Sequence, residues 1–205
     1  MKLLFLSYNY EPDLGAGSFR NTNLAEYLAQ NYKELEIDVC TTSPSRYDSF
    51  KENYIPNEKR ENLRIVRFSV IRSSSNLLFQ ICSFFLFALK VIIFIRKNKY
   101  DAVYASSSRL MTAVLGAFIA NKKKSVLYID LRDLFLDVLK NSNFILYFLL
   151  FPILQSFESF VFKKAKKINL VSEGFKDYLE YKFPKSKFVF FSNGIDDIFV
   201  ENSKK

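Results

Sequence analysis

Short apolar runs alternate along the chain with longer segments of helical periodicity. Runs rich in Val, Ile, Leu, Phe and Tyr predict seven strands covered on both faces: Lys2–Tyr8, Ile37–Thr41, Leu63–Ser69, Ala102–Ala105, Ser125–Asp130, Ile168–Val171 and Phe188–Phe191. The segments between them predict five helices: Ser18–Asn31, Asn76–Arg96, Leu110–Asn121, Phe144–Lys163 and Gly174–Tyr181. Such alternation is typical of βαβ units. We therefore expect an α/β fold, a Rossmann-like doubly wound parallel sheet of about seven strands with helices on both faces.

Two segments depart from this regular pattern. Ser43–Asn62 is polar and contains Pro44 and Pro56, which predicts a surface loop. Pro152 falls inside the helical pattern Phe144–Lys163. Because proline removes a helical hydrogen bond and clashes with the preceding turn, we expect a kink or a break there.

The most apolar stretch, Leu77 to Ile95, is nearly long enough to span a bilayer. Lys90 near its centre would be costly inside lipid, so a buried or interfacial helix is favoured over a transmembrane span. The apolar run at the amino terminus, Met1–Tyr8, is too short for a signal peptide, and no small-residue cleavage site follows. It is predicted to be a buried strand.

The composition is that of a single globular domain: 205 residues, 49% hydrophobic and 25% charged, with only 5 Gly and 5 Pro. The net charge of +9 is spread along the chain, which argues against nucleic acid as a partner. Its local clusters, at residues 96–99, 122–124 and 163–167, each follow an apolar helical pattern. They suit either solvated helix ends or the anionic face of a membrane.

The cysteine and histidine content limits the metal sites, disulfides and catalytic groups that the chain can form. Cys40 and Cys82 have neither a metal-ligand spacing nor the pattern of a disulfide framework, which fits a reducing cytosol. The chain contains no His, which excludes catalysis by imidazole and most zinc sites. We expect no metal and no cofactor.

Right-handed crossovers bring the carboxyl ends of parallel strands to one edge of the sheet, where ligands of doubly wound folds bind. After the first strand, Gly15-Ala16-Gly17 leads into a helix that begins near Ser18. Glycines allow a ligand to approach closely, and the helix N–H groups favour an anion such as a diphosphate. The motif is neither a complete Gly-x-Gly-x-x-Gly nor a P-loop. It equally fits a tight strand-to-helix connection with Ser18 as the N-cap.

Polar residues also follow the later strands. The fifth strand ends in Asp130-Leu131-Arg132-Asp133, whose charges require a cleft or one another, since a buried unpaired charge is costly. Two alternatives are open: a salt bridge from Arg132 to Asp130 or Asp133, or contact with a substrate or phosphate. Ser172-Glu173-Gly174 after the sixth strand also fits a helix cap, and Asn193-Gly194 also fits a turn with positive φ.

The order and spacing of these motifs resemble the amino-terminal domain of family 4 glycosyltransferases over essentially the whole chain. Within that family the sequence looks most like the fucosamine-transferase-like enzymes of bacterial surface-polysaccharide assembly. The segments that carry the resemblance are Tyr10–Arg20, Val103–Ser107, Asp130–Leu134, Leu170–Phe175 and Ser192–Asp196.

This resemblance implies a retaining GT-B enzyme, in which two Rossmann-like domains face each other across a cleft and no metal is needed. The first domain mainly holds the acceptor and the second mainly holds the nucleotide-sugar donor, whose diphosphate comes close to the glycine loop. The implied catalytic residues are Asp130, Arg132 and Asp133. The implied substrate-binding residues are Gly15, Ala16, Gly17, Arg20, Ser106, Ser172, Glu173, Gly174, Asn193 and Gly194.

Two departures from the family pattern matter. Arg132 stands where many relatives carry His, and a guanidinium suits a phosphate or carboxylate but cannot act as a base at neutral pH. The Glu-x7-Glu segment of the donor domain is absent. We therefore expect residues 1–205 to form the amino-terminal, acceptor-side domain without the donor-binding domain, and to have negligible transferase activity alone.

The implied function is acceptor binding in the assembly of O-antigen, capsule or exopolysaccharide, with a lipid-linked sugar as acceptor. The expected location is cytoplasmic, peripheral on the inner leaflet, where Phe84, Phe85, Phe87, Phe148 and Phe151 would meet lipid; core packing is the alternative for most of them. The alternative function is a non-catalytic subunit that recruits or activates a partner bearing the donor domain. A dinucleotide-binding domain is disfavoured by the incomplete glycine motif and the lack of an acidic ribose contact.

Overall fold

The computed structural model describes residues 1–44, 54–71, 77–107, 110–134 and 144–194. Its strands are β1 Lys2–Ser7, β2 Glu36–Thr42, β3 Asn57–Arg60, β4 Leu63–Phe68, β5 Ala102–Ser107, β6 Val126–Leu131, β7 Lys167–Leu170 and β8 Phe188–Phe190. Its helices are α1 Ala16–Asn31, α2 Leu77–Phe94, α3 Leu110–Lys123, α4 Phe144–Lys164 and α5 Lys176–Lys182, with a 3₁₀ turn at Glu173–Phe175. All seven predicted strands and all five predicted helices are found, and their ends differ from the predictions by only a few residues.

Within the described residues, the strands form one sheet in the order β3-β4-β2-β1-β5-β6-β7-β8. Every neighbouring pair is parallel except β3 and β4. From β1 the chain builds outward through β2 and β4, and then returns to place β5 on the other side of β1. The strand order therefore reverses between β1 and β5, which opens a crevice at their carboxyl ends. The doubly wound α/β fold is confirmed.

Alternate residues of β1 serve the two faces of the sheet. Leu3 and Phe5 pack with the α1 side, while Leu4 and Leu6 pack with the core shared by α2, α3, α4 and α5. All four side chains are buried, as expected for a central strand of a parallel sheet. Helices therefore cover both faces, with α1 on one and the other four on the opposite one.

One local prediction was wrong. Ser43–Asn62, predicted to be a loop, contains β3, which pairs antiparallel with β4 from Asn57↔Val66 to Arg60↔Leu63; residues 45–53 lie outside the described part. An edge strand exposes its side chains, so β3 is entirely polar and shows no apolar run. Of the kink or break predicted at Pro152, the break is not found, because α4 continues through the proline. One lost hydrogen bond does not end a helix whose last turns are anchored in the core.

The prediction of a buried or interfacial helix at Leu77–Ile95 agrees with α2. Phe84 and Phe87 lie in the core, so the alternative of core packing is the correct one for them, whereas Phe85 is 67% exposed. Phe151 is half-buried, and the side chain of Phe148 lies outside the described residues. Among helices in the described part of the chain, none has both the length and the apolar character that crossing a membrane requires.

Candidate functional site

The glycine turn joins β1 to α1 at the crevice. Gly15 is the N-cap of α1, and its carbonyl accepts the first helical hydrogen bond, from the Phe19 N–H, at 3.1 Å. Ser18, expected as the N-cap, lies instead in the first turn, where its side chain is buried and its Oγ has no hydrogen-bond partner among the described residues. Because a glycine cap has no side chain, the first N–H groups of α1 receive no side-chain cap.

Arg132, which follows β6, lies directly against Gly17. A Cβ atom placed on Gly17 would be 2.3 Å from Arg132 Nη1 and 3.3 Å from Cζ. No described glycine has positive φ, so Gly17 is needed for this close approach and not for its backbone conformation. Arg132 Nη1 is shielded from solvent and has no hydrogen-bond partner in the described part of the chain. A cation beside the positive end of a helix is unfavourable by itself, so the arrangement suits an anion that contacts both the guanidinium and the first turn of the helix.

Arg20, on α1, is saturated by protein acceptors. Its Nε and Nη2 donate to the two carboxylate oxygens of Asp130, both at 3.1 Å. Nη2 also donates to the Phe191 carbonyl at 3.1 Å, while Nη1 donates to the Ser192 carbonyl at 2.6 Å and to Asn193 Oδ1 at 3.5 Å. A guanidinium has five N–H donors, so these five contacts leave none for a ligand.

Asp130 is paired with Arg20, so the salt bridge that was one alternative for Asp130 and Arg132 is formed by Asp130 with a different arginine. Its side chain is 1% exposed, against 14% for Arg20. Asn169 Nδ2, on β7, donates to Asp130 Oδ1 at 2.6 Å and to the Phe191 carbonyl at 3.2 Å. This network, which we call the Arg20 clamp, ties α1, β6 and β7 to residues 191–193 after β8.

The clamp also affects Tyr104 on β5. Burial, and secondly the negative charge of Asp130, raise the pKa of the Tyr104 hydroxyl well above its usual value. The hydroxyl therefore stays protonated at neutral pH.

The other predicted residues are placed as follows. Ser106 is buried at the carboxyl end of β5, in register with Asp130, whereas Asp133 is exposed just after β6. Ser172 is the N-cap of the 3₁₀ turn without a side-chain hydrogen bond, and Glu173 and Gly174 in that turn are exposed.

Asn193 and Gly194 are exposed beyond β8. Gly194 does not have the positive φ that its turn sequence suggested, and a Cβ there would meet nothing within 4 Å. The structure thus brings the glycine turn, Arg20, Asp130, Arg132 and Asn193 together at the carboxyl edge.

Sequence reasoning missed two residues that support this edge. Asn169 joins the Arg20 clamp, and the signal for it was an amide within the otherwise apolar predicted strand Ile168–Val171. Arg67, at the end of β4, donates from Nη2 to the Glu11 carbonyl and from Nη1 to the Ile55 carbonyl, both at 2.8 Å. Arg67 is buried, and the available signal was a charged residue near the carboxyl end of the predicted strand Leu63–Ser69.

A cavity of about 640 Å³ lies at the opposite edge, beside the amino ends of β1, β2 and β4. Its charged walls pair with each other, Lys2 with Asp38 at 3.3 Å and Lys33 with Glu61 at 2.8 Å. It is therefore separate from the candidate site. Among the described residues, no group of three or more His, Cys, Asp or Glu side chains could hold a metal ion.

No family model and no curated protein matches this chain. Solved structures do. Sucrose-phosphate synthase from Thermosynechococcus elongatus superposes with a TM-score of 0.65 at 12% identity, over 95% of this chain and 48% of that one. Anabaena HepE in complex with UDP-glucose gives 0.52 at 17%, over 96% and 44%. A UGT transferase from Siraitia grosvenorii in complex with UDP gives 0.51 at 12%, over 99% and 54%.

At sequence identities this low, the similarity to these structures shows a shared fold and nothing more. The chain spans about half the length of each of these three proteins, which are GT-B glycosyltransferases. The chain has the fold of one Rossmann-like half of a GT-B glycosyltransferase.

Proposed function

We propose that this chain is the acceptor-side half of a nucleotide-sugar-dependent glycosyltransferase, and that the glycine turn and Arg132 bind the donor's diphosphate. The observation that carries the proposal is Arg132 Nη1, which is buried against Gly17 at the first turn of α1 and has no hydrogen-bond partner among the described residues. The guanidinium and the first N–H groups of α1 lie side by side there, so an anion in contact with both would be stabilised by each. Diphosphate is favoured over carboxylate because it carries more acceptor oxygens and more negative charge, so it can contact the guanidinium and several helix N–H groups together.

In this proposal Arg132 stabilises charge and does not transfer a proton. Arginine remains protonated at neutral pH, so its positive charge stabilises the negative charge that develops on the diphosphate as its bond to the sugar breaks. Asp133, exposed beside it, is the carboxylate available to the acceptor. Asp130 has its carboxylate occupied by Arg20 and Asn169, so we assign it a positioning role. Ser106 and Ser172–Gly174 line the rest of this edge.

A second domain supplies the donor pocket in this proposal, and residues 1–205 alone have negligible transferase activity and need no metal. The similarity to proteins about twice as long supports it, as does HepE, which was solved with UDP-glucose and with UDP. The resemblance to family 4 fucosamine-transferase-like enzymes adds the finer expectations. These are a lipid-linked sugar acceptor, a role in cell-surface polysaccharide assembly, and a cytoplasmic, peripheral location on the inner membrane face.

Calorimetric titration of the chain with inorganic pyrophosphate and with UDP tests the phosphate site. We expect both probes to bind at low salt, and Arg132→Gln to weaken that binding at least about tenfold, since a charge-assisted hydrogen bond is lost. Arg60→Gln is the matched control, because it removes the same charge from the exposed edge strand β3. Equal affinity of the wild type and Arg132→Gln for pyrophosphate would refute the assignment.

A second candidate is a non-catalytic subunit that recruits or activates a partner carrying the donor domain. Val126 and Tyr128 of β6 support it, because both are exposed on the same sheet face as α1, which packs mainly over β1, β2 and β4. A neighbouring reading frame that encodes a short protein with a Glu-x7-Glu segment would favour this candidate. If the two proteins co-purify and only their mixture transfers sugar, the subunit model is correct.

A further inference from the structure

One side of α2 is apolar yet faces solvent. Phe84 and Phe87 fill the inner side and pack in the core. The outer face of α2 consists of residues three or four positions apart, each between 45% and 70% exposed: Leu78, Ile81, Phe85, Leu89 and Ile93. Such spacing aligns them in one stripe, which at roughly 1.5 Å per residue is about 22 Å long. A continuous exposed stripe of large apolar side chains marks an interaction surface.

Positive charge accompanies this stripe. Residues 77–124, from α2 through α3, contain eight Lys and Arg residues and a single acidic residue, Asp101. The exposed cations at the carboxyl-terminal ends of α2 and α3 are Arg96, Lys97, Lys99, Lys122 and Lys124. Lys123 brings the two ends together, because its Nζ donates to the carbonyls of Arg96 at 3.0 Å and Asn98 at 2.9 Å. We call these five cations the basic end of α2.

The other end of the stripe lies beside the crevice. Ser83, in the second turn of α2, is hydrogen-bonded through its hydroxyl to the Tyr8 hydroxyl at 2.9 Å and donates to the Ile71 carbonyl at 3.0 Å. Tyr8 directly follows β1 and leads toward the glycine turn. The apolar stripe therefore runs from the crevice edge of the sheet to the basic end at the opposite edge.

We propose that the outer face and basic end of α2 dock on an anionic lipid bilayer. Apolar side chains entering the headgroup region, flanked by lysines, are the combination that binds helices to such surfaces. A second copy of the chain would bring two equally basic surfaces together, which repel each other. Docking in this way places the crevice edge near the lipid surface. The docking proposal rests on the proposed function for the role of the crevice. It adds the surface through which the chain would reach a lipid-linked acceptor.

Vesicle co-sedimentation of the full chain tests the apolar contact. The vesicles contain either phosphatidylcholine alone or equal parts of phosphatidylcholine and phosphatidylglycerol. We expect binding to the anionic vesicles, and a roughly tenfold loss with Phe85→Glu, since the charge would have to enter the interface. Tyr27→Glu, equally exposed at 59% but on α1 across the sheet, should bind as the wild type does. Ile93→Gln gives a second, milder variant, and circular dichroism checks that each variant is folded.

Charge reversal and salt test the headgroup contact. Lys97→Glu combined with Lys122→Glu should abolish the preference for anionic vesicles, and so should high salt. Lys185→Glu, exposed in the turn after α5, is the control and should have little effect. Wild-type protein that stays in the supernatant, or Phe85→Glu that binds as well as wild type, would overturn the proposal.

Two further measurements separate the alternatives. If sedimentation equilibrium instead reveals a dimer that Phe85→Glu dissociates, the face belongs to a second copy. Pyrophosphate binding is measured on the same Phe85→Glu protein, where we expect it unchanged. Loss of vesicle binding with retained pyrophosphate binding, or the reverse, shows which of the two proposals has failed.

Discussion

Replacing Arg20 by Gln should destabilise the domain, because it leaves the Asp130 carboxylate buried without its cation. Asp130 is 1% exposed and would keep only the Asn169 hydrogen bond. Removing one partner of a buried ion pair costs 3–5 kcal/mol in general, and the partial exposure of Arg20 places this case at about 3 kcal/mol. For a domain of this size, that corresponds to a fall in Tm of roughly 6 to 12 °C. Arg20→Lys keeps the charge but cannot make all five contacts, so we expect about half that loss.

Urea unfolding followed by circular dichroism measures this loss. Arg60→Gln, the same substitution at an exposed ion pair, should stay within about 1 kcal/mol of wild type. The double variant Arg20→Gln with Asp130→Asn should lose less than the sum of the single variants, since neither then leaves an unpaired charge. Hydrogen exchange should also quicken at residues 190–193, which the clamp holds. If Arg20→Gln unfolds like the wild type, the clamp contributes no stability and our assignment of Arg20 fails.

Two further predictions concern the same edge of the sheet. Gly17→Ala should push the Arg132 guanidinium aside and abolish pyrophosphate binding in calorimetry, with little loss of stability because alanine suits a helix and φ is not positive. Arg60→Gln, on the edge strand β3 away from this site, should leave binding intact. Stability should fall as the pH rises above about 10, where tyrosine ionises in the unfolded chain while buried Tyr104, with its raised pKa, stays protonated. Tyr104→Phe should make that decline shallower in urea unfolding measured from pH 8 to 11, and part of it should remain because burial also raises the pKa of Tyr10 and Tyr100.

The layout of the fold follows from apolar periodicity alone, because most elements are covered on at least one face. Strand β3 is the exception. It lies at the sheet edge, where backbone pairing with β4 needs no apolar side chains, so its sequence Asn57–Arg60 resembles a loop. Pro152 shows the converse case: of the kink or break that the local rule predicted, the break is absent because the packing of α4 outweighs it. In both segments, tertiary contacts decide what a short stretch of sequence does.

The residues of the candidate site could be predicted from the sequence, but which of them pair with one another could not. Charges at a strand end must be paired or face a cleft, and the only partner for Asp130 that its sequence neighbourhood offered was Arg132. The actual partner is Arg20, which is 110 positions away in the chain but adjacent once α1 packs beside the reversed strand order. No periodicity in a single sequence encodes that proximity.

The two arginines at this edge show what the three-dimensional contacts add. Both belong to motifs that were predicted to bind a ligand, and by residue type alone the two are equally suited to bind a phosphate. All five donors of Arg20 are used by Asp130, Asn193 and two backbone carbonyls, so binding a phosphate there would mean breaking a buried ion pair. Arg132 instead has a shielded donor without an acceptor in the described part of the chain, and an unsatisfied buried donor costs free energy. A ligand is therefore favoured at Arg132, and Arg20 fixes the elements around it.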